Sequence, residues 1–221
     1  MHVAQWLAYN LGGYQAHHQS VKVMNGLLVT WTKVLFTSYQ YSGKEKIPKG
    51  VPLIFVVNHQ SMYDISPLEY DLAEFHPKFI SKIELGKGLP SISYNLQKGG
   101  SALIDRRNGK QAIEAIKTLA LLIEEKNYSA VIFPEGTRSK DGTPKSFKES
   151  GLKVLAKYAK NAYIVPVTLN NTWRITEWGK FPLQLGSKVT IHYHEPLKVS
   201  DYKFDELFAL TEQTVKSKIN N

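Results

Sequence analysis

Residues 52–64 read Pro52-Leu53-Ile54-Phe55-Val56-Val57-Asn58-His59-Gln60-Ser61-Met62-Tyr63-Asp64. The unbroken apolar run 52–57, closed by Asn58, has the length of a strand and no alternation, so it predicts a strand buried on both faces. Such a strand needs helices above and below it, which points to an α/β layered fold. The same pattern returns at 129–133 and 162–169, with weaker versions at 79–81, 102–104 and 188–194. Helical periodicity lies between and after these runs. It is clearest over 110–126, where Ile113, Ile116, Leu119 and Ile123 share a side, and it recurs over 150–160 and 205–219. The expected architecture is one α/β domain, a mostly parallel or mixed sheet covered by helices, with an N-terminal amphipathic two-helix attachment. The division expected is 1–42 for the attachment and 43–221 for the sheet-bearing domain.

Composition agrees with a single globular core. The chain has 221 residues, 43% of them apolar, a length that suits one domain. It contains no cysteine, which excludes a disulfide scaffold, a cysteine nucleophile and a thiolate metal site. With 28 Lys+Arg against 19 Asp+Glu the formal net charge is +9, favouring a polyanionic partner: nucleic acid, an anionic membrane or a phosphorylated substrate. No basic surface interleaved with aromatic residues marks a nucleic-acid binder, and no Gly-x-Ser-x-Gly elbow marks a serine hydrolase.

Residues 1–37 read as two amphipathic helices broken near Gly12-Gly13. The first carries Val3, Trp6, Leu7, Leu11 and Tyr14. The second carries Met24, Leu27, Leu28, Trp31 and Leu35 on one face, with Lys22, Asn25 and Lys33 elsewhere. Aromatic and aliphatic residues beside Lys and His suit a helix lying in a membrane interface, or one that packs on the domain. No apolar run reaches the roughly 20 residues of a membrane span, and no secretory signal is read at the N-terminus. His17, His18 and Arg174, with Trp173 and Trp178, are expected at the surface or facing a membrane.

Chemistry is expected where strands end, because ligands of open α/β sheets bind outside the carboxyl ends of the strands. His59 lies just past the first buried strand. Asp64 is five residues on, about 140° around a continuous helix, so the two can meet only if His59 sits in the turn ahead of the helix. Ser61 with Asp64 three later resembles a capping box, and Ser66-Pro67 offers a second helix start. An Asp64 hydrogen bond to one ring nitrogen would leave the other free as a base; otherwise Asp64 merely caps the helix. Phe133-Pro134-Glu135-Gly136-Thr137-Arg138-Ser139 follows another buried strand. Gly136 allows close approach, Arg138 suits a phosphate, and Glu135 can hold a neighbouring base or an Arg in place. Lys82, and Asp105-Arg106-Arg107 after residues 102–104, place further cations at strand ends. His192 and His194 share a strand face but lack a third ligand at metal-site spacing.

In this order and spacing, Asn58-His59-x4-Asp64, Ile104-Asp105-Arg106, Phe133 through Ser139 and Ile164-Val165-Pro166-Val167 resemble the glycerolipid acyltransferase family, specifically its PlsC-like 1-acyl-sn-glycerol-3-phosphate acyltransferases. The resemblance spans about residues 50–200. The segment from Gly99 to Arg106 is its loosest part. What it implies is transfer of a fatty acyl chain from an acyl thioester to the sn-2 hydroxyl of 1-acylglycerol-3-phosphate, giving phosphatidic acid. His59 would be the general base and Asp64 its orienting partner, with no covalent acyl-enzyme. Arg106, Arg138 and Lys82 would hold the acceptor phosphate. Glu135, Gly136 and Thr137 would shape the acceptor pocket, and Val165-Pro166-Val167 the acyl side. The implied partners are a lysophospholipid, an acyl thioester (acyl-coenzyme A or acyl carrier protein) and an anionic membrane surface, at the cytoplasmic face as a peripheral or monotopic protein. No metal or other cofactor is implied. The alternatives are an acyltransferase for another lysolipid, and a non-catalytic phospholipid-binding protein.

Overall fold

A computed structural model describes residues 1–179 and 181–220. In chain order the elements are α1 (His2–Val34), β1 (Ser38–Ser42), β2 (Leu53–Val57), α2 (Ile65–Asp71), β3 (Pro77–Lys82), α3 (Ile92–Lys98), β4 (Ala102–Ile104), α4 (Gly109–Lys126), β5 (Ser129–Ile132), α5 (Glu149–Tyr158), β6 (Tyr163–Asn170), β7 (Lys188–Tyr193), β8 (Leu197–Lys198) and α6 (Phe204–Lys216).

The sheet runs β1-β7-β6-β2-β5-β3-β4, with β8 also paired to β6. β2, β3, β4, β5 and β6 are mutually parallel; β7 and β8 run antiparallel to β6, so the sheet is mixed. The opening apolar run is therefore a central strand. All five residues of β2 are buried. Ile54 and Val56 face a layer containing Ile116, Leu119 and Ile123 of α4, Leu152 and Leu155 of α5, and Leu207 and Val215 of α6. Leu53, Phe55 and Val57 face the opposite way, onto Leu68, Leu72, Phe75 and Phe79. Burial on both faces is the reason the run lacks alternation. Pro166 is tolerated within β6 because it falls where β7 and β8 leave a gap along the strand edge.

Besides the two-residue β8, two elements were not expected from sequence. β1, Ser-Tyr-Gln-Tyr-Ser, pairs in parallel with β7 as an edge strand, so the sheet begins at Ser38. Its short run of three polar residues and two tyrosines lacks an apolar signal. The short helix α3 was missed for the same reason, with Leu96 its one buried residue.

α1 is two helices joined at Gly13, where φ 65 and ψ −158 leave the helical region. The faces divide as expected except at Met24 and Asn25. Leu27, Leu28 and Trp31 point outward, as do Val3, Trp6, Leu7, Leu11, Val23 and Val34. The buried stripe comprises Gln5, His17, Val21, Met24, Asn25, Val29 and Thr32. Met24 thus parts from its supposed neighbours, and Asn25, expected off the apolar face, is buried and donates to the Val21 carbonyl. Close packing decides this: a Cβ at Gly26 would lie 2.9 Å from the Tyr70 ring, so this is the face that docks on α2. His17 and His18 likewise turn inward rather than to the surface. His17 is buried edge-on against Tyr94, and His18 Nε2 lies 2.9 Å from the Ala73 carbonyl.

Candidate acyl-transfer site

The parallel registers bring the predicted residues together. β2, β5, β3 and β4 are adjacent and share one direction, with Val56 opposite Ile132, Phe79 opposite Val131 and Lys82 opposite Ile104. His59, the 135–138 turn, Lys82 and Arg106 therefore leave the same edge of the sheet.

The turn after β2 is locked from several sides. Asn58, buried, donates from Nδ2 to the Leu169 carbonyl at 2.8 Å and accepts the Leu169 N–H at 2.7 Å, so its side chain continues the β2–β6 pairing as if it were backbone. The His59 N–H donates to Glu135 Oε1 at 3.0 Å, and the His59 carbonyl accepts the Ser139 N–H at 2.7 Å. Its ring stacks on Phe133, centroids 4.2 Å apart. Ser61 and Asp64 form the anticipated capping box, but the helix begins there, at a 3-10 turn over Met62–Asp64 running into α2. Pro67 sits inside the first turn instead of starting a second helix.

This start places His59 ahead of the helix, as contact with Asp64 requires. His59 Nδ1 lies 2.6 Å from Asp64 Oδ2. Asp64 is fully buried, and its oxygens also accept the N–H groups of Gln60 (2.8 Å) and Ser61 (3.0 and 3.1 Å) and the Thr172 hydroxyl (2.5 Å). An acceptor so surrounded by donors fixes the tautomer: Nδ1 carries the proton and donates. Nε2 has no partner among the described residues, and the side chain is 15% exposed, enough for a substrate hydroxyl to reach it.

Glu135 holds the backbone of the neighbouring His59, one of the two arrangements its position allowed. It is 3% exposed, and both carboxyl oxygens are engaged, Oε1 by the His59 N–H and Oε2 by the Lys145 N–H at 3.3 Å. Burial pushes its carboxyl above the ordinary range, and these two N–H groups oppose that shift. Gly136, at φ 72, takes a conformation costly for other residues, and Thr137 Oγ1 accepts from Lys145 Nζ at 3.0 Å. Lys145, which also donates to the Arg138 carbonyl at 2.7 Å, braces this turn. Nothing in its sequence context distinguished it from a solvated lysine. Lys82, Arg106 and Arg138 are exposed, and no carboxylate pairs with any of them among the described residues. His192 and His194, by contrast, are tied to hydroxyls, Ser42 at 2.7 Å and Thr168 at 2.8 Å.

The acyltransferase family profile matches residues 38–170, from the first residue of β1 to the last of β6. The chain belongs to the acyltransferase family. Among its relatives, a chloroplastic 1-acyl-sn-glycerol-3-phosphate acyltransferase of Arabidopsis thaliana is 32% identical over 163 residues, 73% of this chain and 44% of the relative. A 1-acyl-sn-glycerol-3-phosphate acyltransferase of Helicobacter pylori is 36% identical over 129 residues, 57% of this chain and 51% of the relative. The chain thus spans about half the length of these two relatives. The crystal structure of the 1-acyl-sn-glycerophosphate acyltransferase PlsC from Thermotoga maritima superimposes with a TM-score of 0.79 at 27% identity, covering 94% of this chain and 80% of that one.

Proposed function

We propose that the protein transfers a fatty acyl chain from an acyl thioester to the sn-2 hydroxyl of 1-acylglycerol-3-phosphate, giving phosphatidic acid. The observation that carries this reading is the 2.6 Å contact between His59 Nδ1 and Asp64 Oδ2, which leaves Nε2 free at the sheet edge from which Lys82, Arg106 and Arg138 also emerge. In the reaction, His59 Nε2 takes the proton of the acceptor hydroxyl. The oxygen attacks the thioester carbonyl, the new ester C–O bond forms, and the C–S bond breaks. The departing thiolate, of coenzyme A or acyl carrier protein, receives the proton from His59. The balance closes with two substrates and no metal or other cofactor, and the chain has no cysteine for an acyl-enzyme. Lys82, Arg106 and Arg138 hold the acceptor phosphate. Fixing the acceptor against the base supplies up to roughly 7–11 kcal/mol through positioning alone, beside about 10²–10⁴-fold from proton transfer.

The second part of the reading places the enzyme on an anionic membrane, at the cytoplasmic face. No helix among the described residues is long and apolar enough to cross a bilayer. Yet α1 turns Trp6, Leu7, Leu11, Leu27, Leu28 and Trp31 outward while burying Gln5, Asn25 and Thr32, the reverse of a helix facing water. Trp178 and Phe181 are further exposed apolar side chains, at 63% and 87%. A helix lying in the lipid interface accounts for that inversion, and the +9 charge favours anionic lipid.

The test is acyl transfer from a labelled thioester to lysophosphatidic acid in mixed micelles. The expected result is labelled phosphatidic acid from wild type, a loss of at least about 100-fold with His59→Ala, and a raised KM for the acceptor with Arg106→Ala or Arg138→Ala. Full activity of His59→Ala, or no phosphatidic acid from wild type, overturns the assignment.

A further inference from the structure

Thr172 lies at the carboxyl end of β6, two residues past Asn170, and leads into a 3-10 turn over Trp173–Thr176. A threonine in that position ordinarily turns its hydroxyl on the exposed N–H groups of the turn it precedes. Here the side chain makes no such cap. The residue is fully buried, and its hydroxyl points across the sheet to the neighbouring strand's exit, 2.5 Å from Asp64 Oδ1 and 3.4 Å from Gln60 Oε1. A hydroxyl has one proton, and the nearer acceptor takes it.

We infer that Thr172 is a positioning residue for acyl transfer, its hydroxyl holding the Asp64 carboxylate so that Oδ2 stays turned on His59 Nδ1. The division of donors at Asp64 supports this. Oδ2 receives His59 Nδ1, the Gln60 N–H and one contact from Ser61; Oδ1 receives only Ser61, at 3.1 Å, besides Thr172. Removing the hydroxyl leaves Oδ1 of a fully buried carboxylate underfilled. The group then relieves this by rotating about its Cβ–Cγ bond toward a shared geometry, which loosens the His59 contact. The sheet order makes the bond possible: β6 is the neighbour of β2, so the exits of the two strands face one another. This inference rests on the proposed reaction for its kinetic consequence, though not for the geometry.

The experiment compares wild type, Thr172→Val and Thr172→Ser in the lysophosphatidic acid assay and by proton NMR of the His59 Nδ1–H. Valine keeps the shape and removes the donor; serine keeps the donor. The expected result for valine is a kcat lower by about 10- to 100-fold, as for loss of a hydrogen bond to a charged group, with KM for the acceptor unchanged. Serine is expected to return kcat to near wild type. The Nδ1 proton of wild type and of the serine variant resonates far downfield, and in the valine variant it moves upfield or broadens. Valine and serine variants that are equally slow, or a valine variant with unchanged kcat and resonance, overturn the inference. A wild type without transfer activity whose Nδ1 resonance still depends on the Thr172 hydroxyl refutes the proposed reaction and retains the positioning role.

Discussion

The backbone N–H of His59 donates to the side chain of Glu135, 76 positions further along the chain, at 3.0 Å. Because Ser139 N–H closes on the His59 carbonyl, the turn after β5 grips both sides of the peptide that carries the candidate base. Glu135 is thus held against the His59 backbone, buried, with both carboxyl oxygens engaged.

Glu135→Gln should therefore lower kcat more than it changes KM for the acceptor. An amide presents a donor to one of two N–H groups that both require an acceptor, and an unpaired buried N–H costs about 1–3 kcal/mol. Glu135→Ala removes both acceptors and should be slower still. Steady-state kinetics of the two variants check this; a large rise in KM with unchanged kcat would return Glu135 to the acceptor pocket.

The outward face of α1 gives a second expectation. Replacing Leu28 and Trp31 together with Ser removes exposed apolar surface and no internal contact made by Val21, Met24, Val29 or Thr32. Each large side chain withdrawn from lipid forfeits on the order of 1.5–3 kcal/mol of partitioning. The double variant should sediment far less with anionic vesicles while keeping the circular dichroism and melting temperature of wild type. Sedimentation equal to wild type would exclude this face from the lipid contact.

Acid should loosen the docking of α1. His18 is pushed down to about 4 from 6.5, chiefly by burial and then by the neighbouring His76; burial also lowers His17 and His76. Between pH 4 and 6.5 the folded protein consequently binds fewer protons at His18 than the unfolded chain, so stability rises with pH across that window and is lost as pH falls. Glu69, raised to about 7 by burial against the opposing charge of Lys78, works the other way, favouring the fold as pH drops from 7 toward 4.5. Burial also lowers His192 and His194, the latter to about 4, and raises Glu135, so five histidines against two carboxyls make net destabilisation the expected outcome. Thermal melts from pH 7 to 4.5 should show it, and His18→Gln, which keeps a donor for the Ala73 carbonyl, should flatten the slope. An unchanged slope would place the acid-sensitive group elsewhere.

Much of this was legible in the residues. The runs at 52–57, 129–133 and 162–169 match β2, β5 and β6 to within one residue at each end. The reason is local: a strand covered on both faces has no choice but continuous apolar character. His59 with Asp64 was legible as a pair because Ser61 starts the helix, and a capping box is a short-range device. β1 was not legible, since Tyr39 and Tyr41 acquire their strand conformation from pairing with β7, about 150 residues away. The docked side of α1 was not legible either. Periodicity shows that a helix has two faces, but which one meets the body depends on a lipid or protein neighbour outside the helix.

By itself, then, the sequence determined the buried strands, the longer helices α4, α5 and α6 and the chemical identity of the residues at the strand ends, all of which follow from side-chain type and near-neighbour spacing. The tertiary structure alone decided that Glu135 braces the His59 backbone, that Asn58 extends the β2–β6 pairing, and that Thr172 aims its hydroxyl at Asp64. Each of those contacts joins residues 76 to 111 positions apart. Hydrogen bonds act over about 3 Å, so such partners are set by which strands lie side by side, and strand order is a property of the folded sheet.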